Sequence, residues 1–102
     1  MILVVASSNT ELQAFDSKDG FRTISIGVGK VAAAAATAKA MVDYHPQAVI
    51  GIGTCKSLVD AYTIGDVLVA SEVIQYDLDL RLFGLSRAQT FSADRKAVGP
   101  LV

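Results

Sequence analysis

Two glycine-bearing segments are the parts of this sequence whose residue types and spacing could do chemistry. Gly27-Val28-Gly29-Lys30 runs directly into an alanine-rich stretch, and Gly51-Ile52-Gly53-Thr54 ends a run of apolar residues. Glycines in such places either allow a tight turn or leave the backbone bare, so that a ligand can approach it closely. If both segments end parallel strands, they border a crevice of the kind in which open α/β sheets bind ligands.

The first segment does not match the two common phosphate-binding patterns. A P-loop reads G-x-x-x-x-G-K-[ST], but Lys30 is followed by Val31, and no glycine lies five positions before Gly29. A dinucleotide fingerprint needs an acidic residue about 20 residues further on, where this chain has Gly51-Ile52-Gly53 instead. Two interpretations stay open, a tight strand-to-helix turn and a bare backbone that a small ligand touches.

The elements that must position these segments are predicted to form an α/β fold. Residues 1–6, 21–26 and 47–53 have the apolar or alternating pattern of strands, the first and third of the buried kind. Strand, helix and strand in succession imply parallel pairing, so we expect a mostly parallel or mixed central sheet flanked by helices. Residues 67–80 are predicted as a further long strand, and residues 1–102 as a single domain.

Two helices are predicted between the strands. A short one covers residues 11–15, with Asn9 or Thr10 as its cap, and a long one runs from Lys30 to Tyr44 and is stopped by His45-Pro46. The predicted packing face of the long helix consists of apolar side chains at helical spacing: Val31, Ala34, Ala35, Ala38, Met41 and Val42.

Composition narrows the possible functions. Hydrophobic residues make up 52% of the 102 residues and charged residues 19%, which predicts extensive burial and argues against disorder. The net charge of −1 leaves no basic footprint for nucleic acid or an anionic membrane. The single cysteine, Cys55, fits a reducing compartment, and the apolar start is too short for a signal sequence, so a cytoplasmic protein is expected. No metal site is predicted.

Taken in order, several segments resemble the purine nucleoside phosphorylase and nucleosidase superfamily, most closely its methylthioadenosine/S-adenosylhomocysteine nucleosidases. The matching segments are IGVGKVAAAAAT, PQAVIGIGT, TIGDVLVASEVIQYDLDLRLFG and FSADRK. The GxGK-helix element, the Gly-Asp turn before a strand and the Y-D-x-D-x-x-x-F-G segment occur in the family's order and spacing. The likeness covers nearly the whole chain, corresponds to the N-terminal half of a family member, and implies an incomplete nucleoside-phosphorylase-like fold.

The resemblance implies roles for individual residues. Glu11 falls where nucleosidases have the glutamate that positions or activates the attacking water, a task suited to a carboxylate beside a developing cation. The residues that would contact the nucleoside lie in the glycine segments and in the Y-D-x-D segment: Val28 near the ribose, Thr54, Cys55 and Lys56 in a turn whose backbone contacts the ligand, and Leu80 and Phe83 around the 5′ substituent. For Glu11 an ordinary solvated helix position is the alternative, and for Phe83 a core or dimer-contact position.

Departures from the family pattern bear on the reaction. Thr54-Cys55-Lys56-Ser57 replaces a glycine-bearing turn, so that a long cation enters beside the site. The phosphate-binding arginines of phosphorylases have no counterpart at Gly51 or between Ser7 and Phe15, which favours hydrolysis over phosphorolysis. The family's ribose-binding Met-Glu segment and base-protonating aspartate belong to its C-terminal half, so this chain is expected to be a poor enzyme or none.

The sequence therefore predicts a nucleosidase-like protein that acts on purine nucleosides such as methylthioadenosine, without a cofactor and as a homo-oligomer. Two alternatives stay open. One is a half-length, non-catalytic module that binds nucleosides or associates with itself. The other is a nucleoside phosphorylase.

Overall fold

Three parallel strands form the sheet of the first of two structural units, Met1–Lys56, and the second unit is Ser57–Val102. The computed structural model describes residues 1–13, 19–75, 81–84 and 90–92. In the first unit β1 (Ile2–Ala6) lies between β2 (Phe21–Ser25) and β3 (Ala48–Gly51). Ile2 is paired with Phe21 on one side and with Ala48 on the other. The predicted parallel α/β architecture is confirmed.

Helices cover both faces of β1, which explains its unbroken apolar sequence. Leu3 and Val5 are buried on one face with Ala40 of α2 (Lys30–Tyr44). Side chains of alternate residues point to opposite faces of a strand, so Val4 and Ala6 are buried on the other face, with Leu12 of α1 (Asn9–Leu12). Burial on both faces is typical of parallel strands in α/β folds.

The helix α2 has the predicted bounds and a defined end. Gly29 precedes it with a φ of 99°, and the N–H of His45 donates to the carbonyl of Met41 while His45 takes the left-handed conformation (φ 45°). A left-handed residue after the last turn is a common way for a helix to end, and Pro46 prevents its continuation.

The predicted packing face of α2 is wrong. Ala40 is its buried residue, and Ala33, Ala36 and Thr37 on the same side are half-buried. Val31 and Val42, on the predicted face, are 86% and 70% exposed. The alanine run offers two apolar faces, and the sheet contacts the side without valines, since small side chains let helix and strand backbones approach closely.

The third predicted strand is shorter than residues 47–53 and is exposed instead of buried, and the first predicted helix begins earlier than expected. The strand β3 spans Ala48–Gly51, and its residues are exposed, because in the described part of the chain it pairs with β1 on one side and no buried helix residue packs against it. The predicted short helix begins earlier, at Asn9 rather than at residue 11, with Ser8 as its cap.

The second unit contains a small antiparallel sheet. The strand β4 (Glu72–Ile74) pairs with β5 (Thr90–Ser92), and a 3₁₀ turn covers Arg81–Phe83. The long strand predicted over 67–80 is thus wrong for residues 67–71, and residues 76–80 lie outside the described part. A strand requires a hydrogen-bonding neighbour, and no described strand pairs with residues 67–71.

Candidate functional site

The loops that follow the three parallel strands meet at one edge of the sheet. Hydrogen bonds extend the pairing past the strand ends, from the N–H of Ile26 to the carbonyl of Ala6 (2.8 Å) and from the N–H of Ile52 to that of Val5 (2.9 Å). The loop after β1 is therefore flanked by the loops after β2 and β3. From β1 the chain passes to β2 on one side, and from β2 it crosses to β3 on the other side of β1. Open parallel sheets form a ligand crevice at such a change of direction.

Glu11 is placed at this edge by the start of α1. It is the third residue of the helix, and Leu12 beside it is buried against β1, which anchors the turn. A glutamate at the third position commonly reaches back toward the N-cap residue, here Ser8. The hydroxyl and the backbone N–H of Ser8 also help to lower the pKa of Glu11, less than Ser7 and Thr54 do.

The carboxylate of Glu11 joins the loops after β1 and β3. The Ser7 hydroxyl donates to its Oε1, and the backbone N–H of Thr54 donates to its Oε2 at 2.9 Å. The sequence-predicted catalytic residue and the predicted turn at Thr54 are therefore in direct contact, although 43 residues separate them.

Gly53 makes this contact possible. A Cβ atom at position 53 would lie 2.9 Å from Oε2 of Glu11, closer than side-chain carbons normally come to any neighbour. The carboxylate thus occupies the space that a side chain at this position would need.

Hydrogen bonds hold the pKa of Glu11 below its ordinary value of 4.5. The Ser7 hydroxyl is the largest cause and the Thr54 N–H the next, while partial burial acts in the opposite direction. A hydrogen bond donated to a carboxylate favours its ionised form. Glu11 is therefore an anion at neutral pH, which is the state able to accept a hydrogen bond from water or to stabilise a nearby positive charge.

The first glycine segment, Gly27-Val28-Gly29-Lys30, lies at the same edge, after β2. Gly27 and Gly29 have φ values of 84° and 99°, where other residues are strained, and a Cβ at Gly27 would come within 3.1 Å of the Cβ of Ala32. The tight-turn interpretation is confirmed by these angles. Between the glycines Val28 is 84% exposed, so its side chain is open to a ligand at this edge.

The other residues predicted to contact the nucleoside are exposed or lie outside the described part of the chain. Cys55 and Lys56 are exposed in the irregular segment after β3, and the N–H of Thr54 is already engaged by Glu11. Phe83 is 78% exposed in the 3₁₀ turn of the second unit. Leu80 lies outside the described residues.

Ser7 and the contact between Gly53 and Glu11 were not predicted from the sequence. Ser7 stands four residues before Glu11, and the Ser8-to-Glu11 spacing matches a capping box, so this signal was available. The approach of Gly53 depends on β1 and β3 being neighbours in the sheet, which no local pattern reveals.

Neither a metal site nor a membrane-spanning helix is found in the described part of the chain. Over residues 1–13, 19–75, 81–84 and 90–92, no three side chains of histidine, cysteine, aspartate or glutamate gather as a metal site would require. Within the same ranges, every helix is too short or too polar to cross a membrane.

Comparison with known proteins relates the chain to a family. A sequence model described as "Phosphorylase superfamily" matches residues 19–99. The 5′-methylthioadenosine/S-adenosylhomocysteine nucleosidases of Shewanella sp. (strain MR-7) and Shewanella oneidensis are 43% identical to it over 63 residues, and that of Shewanella baltica (strain OS155) is 41% identical. These matches cover 62% of this chain and 27% of each relative, so the chain matches about a quarter of their length.

Proposed function

Because the chain belongs to the phosphorylase superfamily, we propose that the sheet edge around Glu11 is a purine nucleoside site and that Glu11 holds the water that attacks the ribose. The single observation that carries this proposal is the position of the Glu11 carboxylate, which is held by hydrogen bonds between the loops after β1 and β3. The names of the nucleosidase relatives support methylthioadenosine as the first substrate to test.

In this proposal Glu11 serves the nucleophile. As the bond between C1′ and the base nitrogen breaks, its electron pair leaves with the base and positive charge develops on the ribose, where a fixed anion is favourable. Water then bonds to C1′ and its proton passes to the Glu11 carboxylate, while the departing base takes up a proton from solvent.

Water, rather than phosphate, is the proposed nucleophile. Phosphate is best held by arginine in bidentate geometry, and the two places where phosphorylases carry such an arginine have none in this chain. Position 51 is glycine, and residues 7–13 contain no arginine or lysine. Phosphorolysis is therefore the less favoured alternative.

The proposal is tested by adding methylthioadenosine to the chain and measuring its Kd by calorimetry and adenine release by chromatography. We expect binding, and slow release at most, since a second group must manage the leaving base in glycoside chemistry. Glu11→Gln keeps the side-chain size but removes the charge, so any measurable hydrolysis is expected to fall by about 10²–10⁴-fold.

Glu72→Gln is the matched control, because Glu72 in β4 is the other glutamate of the chain. It is expected to leave both readouts unchanged. Absence of binding, or equal losses in the two variants, would contradict the proposal. Adenine release that requires added phosphate would favour the phosphorylase alternative. Binding of methylthioadenosine without adenine release would favour the non-catalytic binding module.

A further inference from the structure

The Glu11 carboxylate accepts hydrogen bonds from two segments of the chain that are far from each other in sequence. Ser7, at the end of β1, donates to one oxygen, and the Thr54 N–H, beyond β3, donates to the other. Two donors on different oxygens fix the rotation of the carboxylate plane as well as its position, which a single hydrogen bond would not do.

Gly53 is needed here for space and not for its backbone conformation. Its φ is not in the positive range in which Gly20, Gly27 and Gly29 lie, so its backbone conformation is open to alanine. The obstacle to a side chain is the Oε2 atom of Glu11 itself, 2.9 Å from the position of a Cβ. An added methyl group would push the carboxylate away from the Thr54 N–H.

We propose that Ser7 and Gly53 are positioning residues that fix the Glu11 carboxylate at the sheet edge, Ser7 by donating to it and Gly53 by leaving room for it. The inference rests on the proposed function in that Glu11 is taken as the group that holds the water. Neither residue needs to touch the substrate. Their effect on the reaction passes through the orientation and charge of Glu11.

The test measures the pKa of Glu11 directly in the whole chain. Carboxyl-labelled glutamate gives two ¹³C signals, since the chain has two glutamates, and Glu72→Gln assigns them. We expect Ser7→Ala to raise the Glu11 pKa because it removes the hydroxyl donor. Gly53→Ala is also expected to raise it, because the displaced carboxylate loses the Thr54 N–H.

Each variant has a matched control. Gly51→Ala makes the same change two residues earlier, where a Cβ would have nothing within 4 Å and the φ is likewise not positive. Ser25→Ala removes an exposed serine at the end of β2. Both controls are expected to leave the Glu11 pKa unchanged. A general loss of structure would instead shift the Glu11 pKa in all four variants.

The two proposals can fail separately. An unchanged Glu11 pKa in Ser7→Ala and Gly53→Ala would overturn the positioning roles, whether or not the chain binds methylthioadenosine. A raised pKa in both variants supports the positioning roles even if the wild-type chain binds no methylthioadenosine, an outcome that would overturn the proposed function instead. Where adenine release is measurable, the acid limb of its pH–rate profile is expected to move to higher pH in Ser7→Ala.

Discussion

Glu11 shows how one side chain can link local and long-range structure. Its contact with the Ser7 hydroxyl is local, across one turn at the start of α1, whereas its contact with the Thr54 N–H comes from the pairing of β1 with β3. An isolated helix glutamate would have the first of these restraints only. The second makes the carboxylate part of the sheet edge, where a ligand of a parallel α/β sheet would bind.

The lowered pKa of Glu11 predicts a pH-dependent contribution to stability. Because the pKa is lower in the folded chain than in the unfolded one, the contribution is fully present above the ordinary value of 4.5 and is lost as the pH falls through the folded value. We expect the difference in unfolding midpoint between wild type and Glu11→Gln to be constant near neutrality and to shrink below pH 4.5.

Thermal unfolding of both proteins across the acid range measures this difference. The effect is expected to be small, since water screens a partly exposed carboxylate. A difference that grew as the pH fell through this range would show that the hydrogen bonds do not favour the ionised form.

Among the elements, α2 was predicted correctly in its bounds and wrongly in its packing face. The bounds of α2 follow from local signals, Gly29 before it and His45-Pro46 after it, and the parallel β1 follows from its unbroken apolar run. The face that α2 presents to the sheet depends on how closely two backbones approach. Ala40 and Ala38 are chemically identical in the sequence, so local pattern could not distinguish them.

The observed packing of α2 predicts unequal effects of the same substitution at two alanines. Ala40→Leu forces a larger side chain against Leu3 and Val5 and is expected to lower the free energy of unfolding by about 1–3 kcal/mol. Ala38→Leu changes an exposed position and is expected to stay within about 0.5 kcal/mol of wild type. Urea denaturation of the two variants checks this, and a larger loss at position 38 would restore the face predicted from sequence.

The surface of the chain carries several exposed apolar side chains. Val31 and Val42 lie on one side of α2, three helical turns apart, and both are largely exposed. Exposed apolar patches often mark surfaces that are covered in an assembly. This is consistent with the homo-oligomer predicted from the sequence, which stays a prediction.

Self-association is expected to be measurable and to weaken when these valines are replaced. Sedimentation velocity over a range of concentrations should show a concentration-dependent mass for the wild-type chain. The combined change Val31→Lys and Val42→Lys is expected to shift the measured mass toward that of the monomer. The control, Gln13→Lys with Gln47→Lys, adds the same charge at exposed polar positions. A wild-type chain that stays monomeric at every concentration would contradict the expectation.

Binding of a purine nucleoside at the edge formed by the loops after β1, β2 and β3 is the proposal on which the others depend. The most direct test is to add methylthioadenosine to the ¹⁵N-labelled chain and record which backbone amides change their chemical shift. We predict changes at residues 7–11, 27–29 and 53–56, with the Thr54 amide among them. Saturable changes confined to other residues, or no saturable changes at all, would contradict the claim.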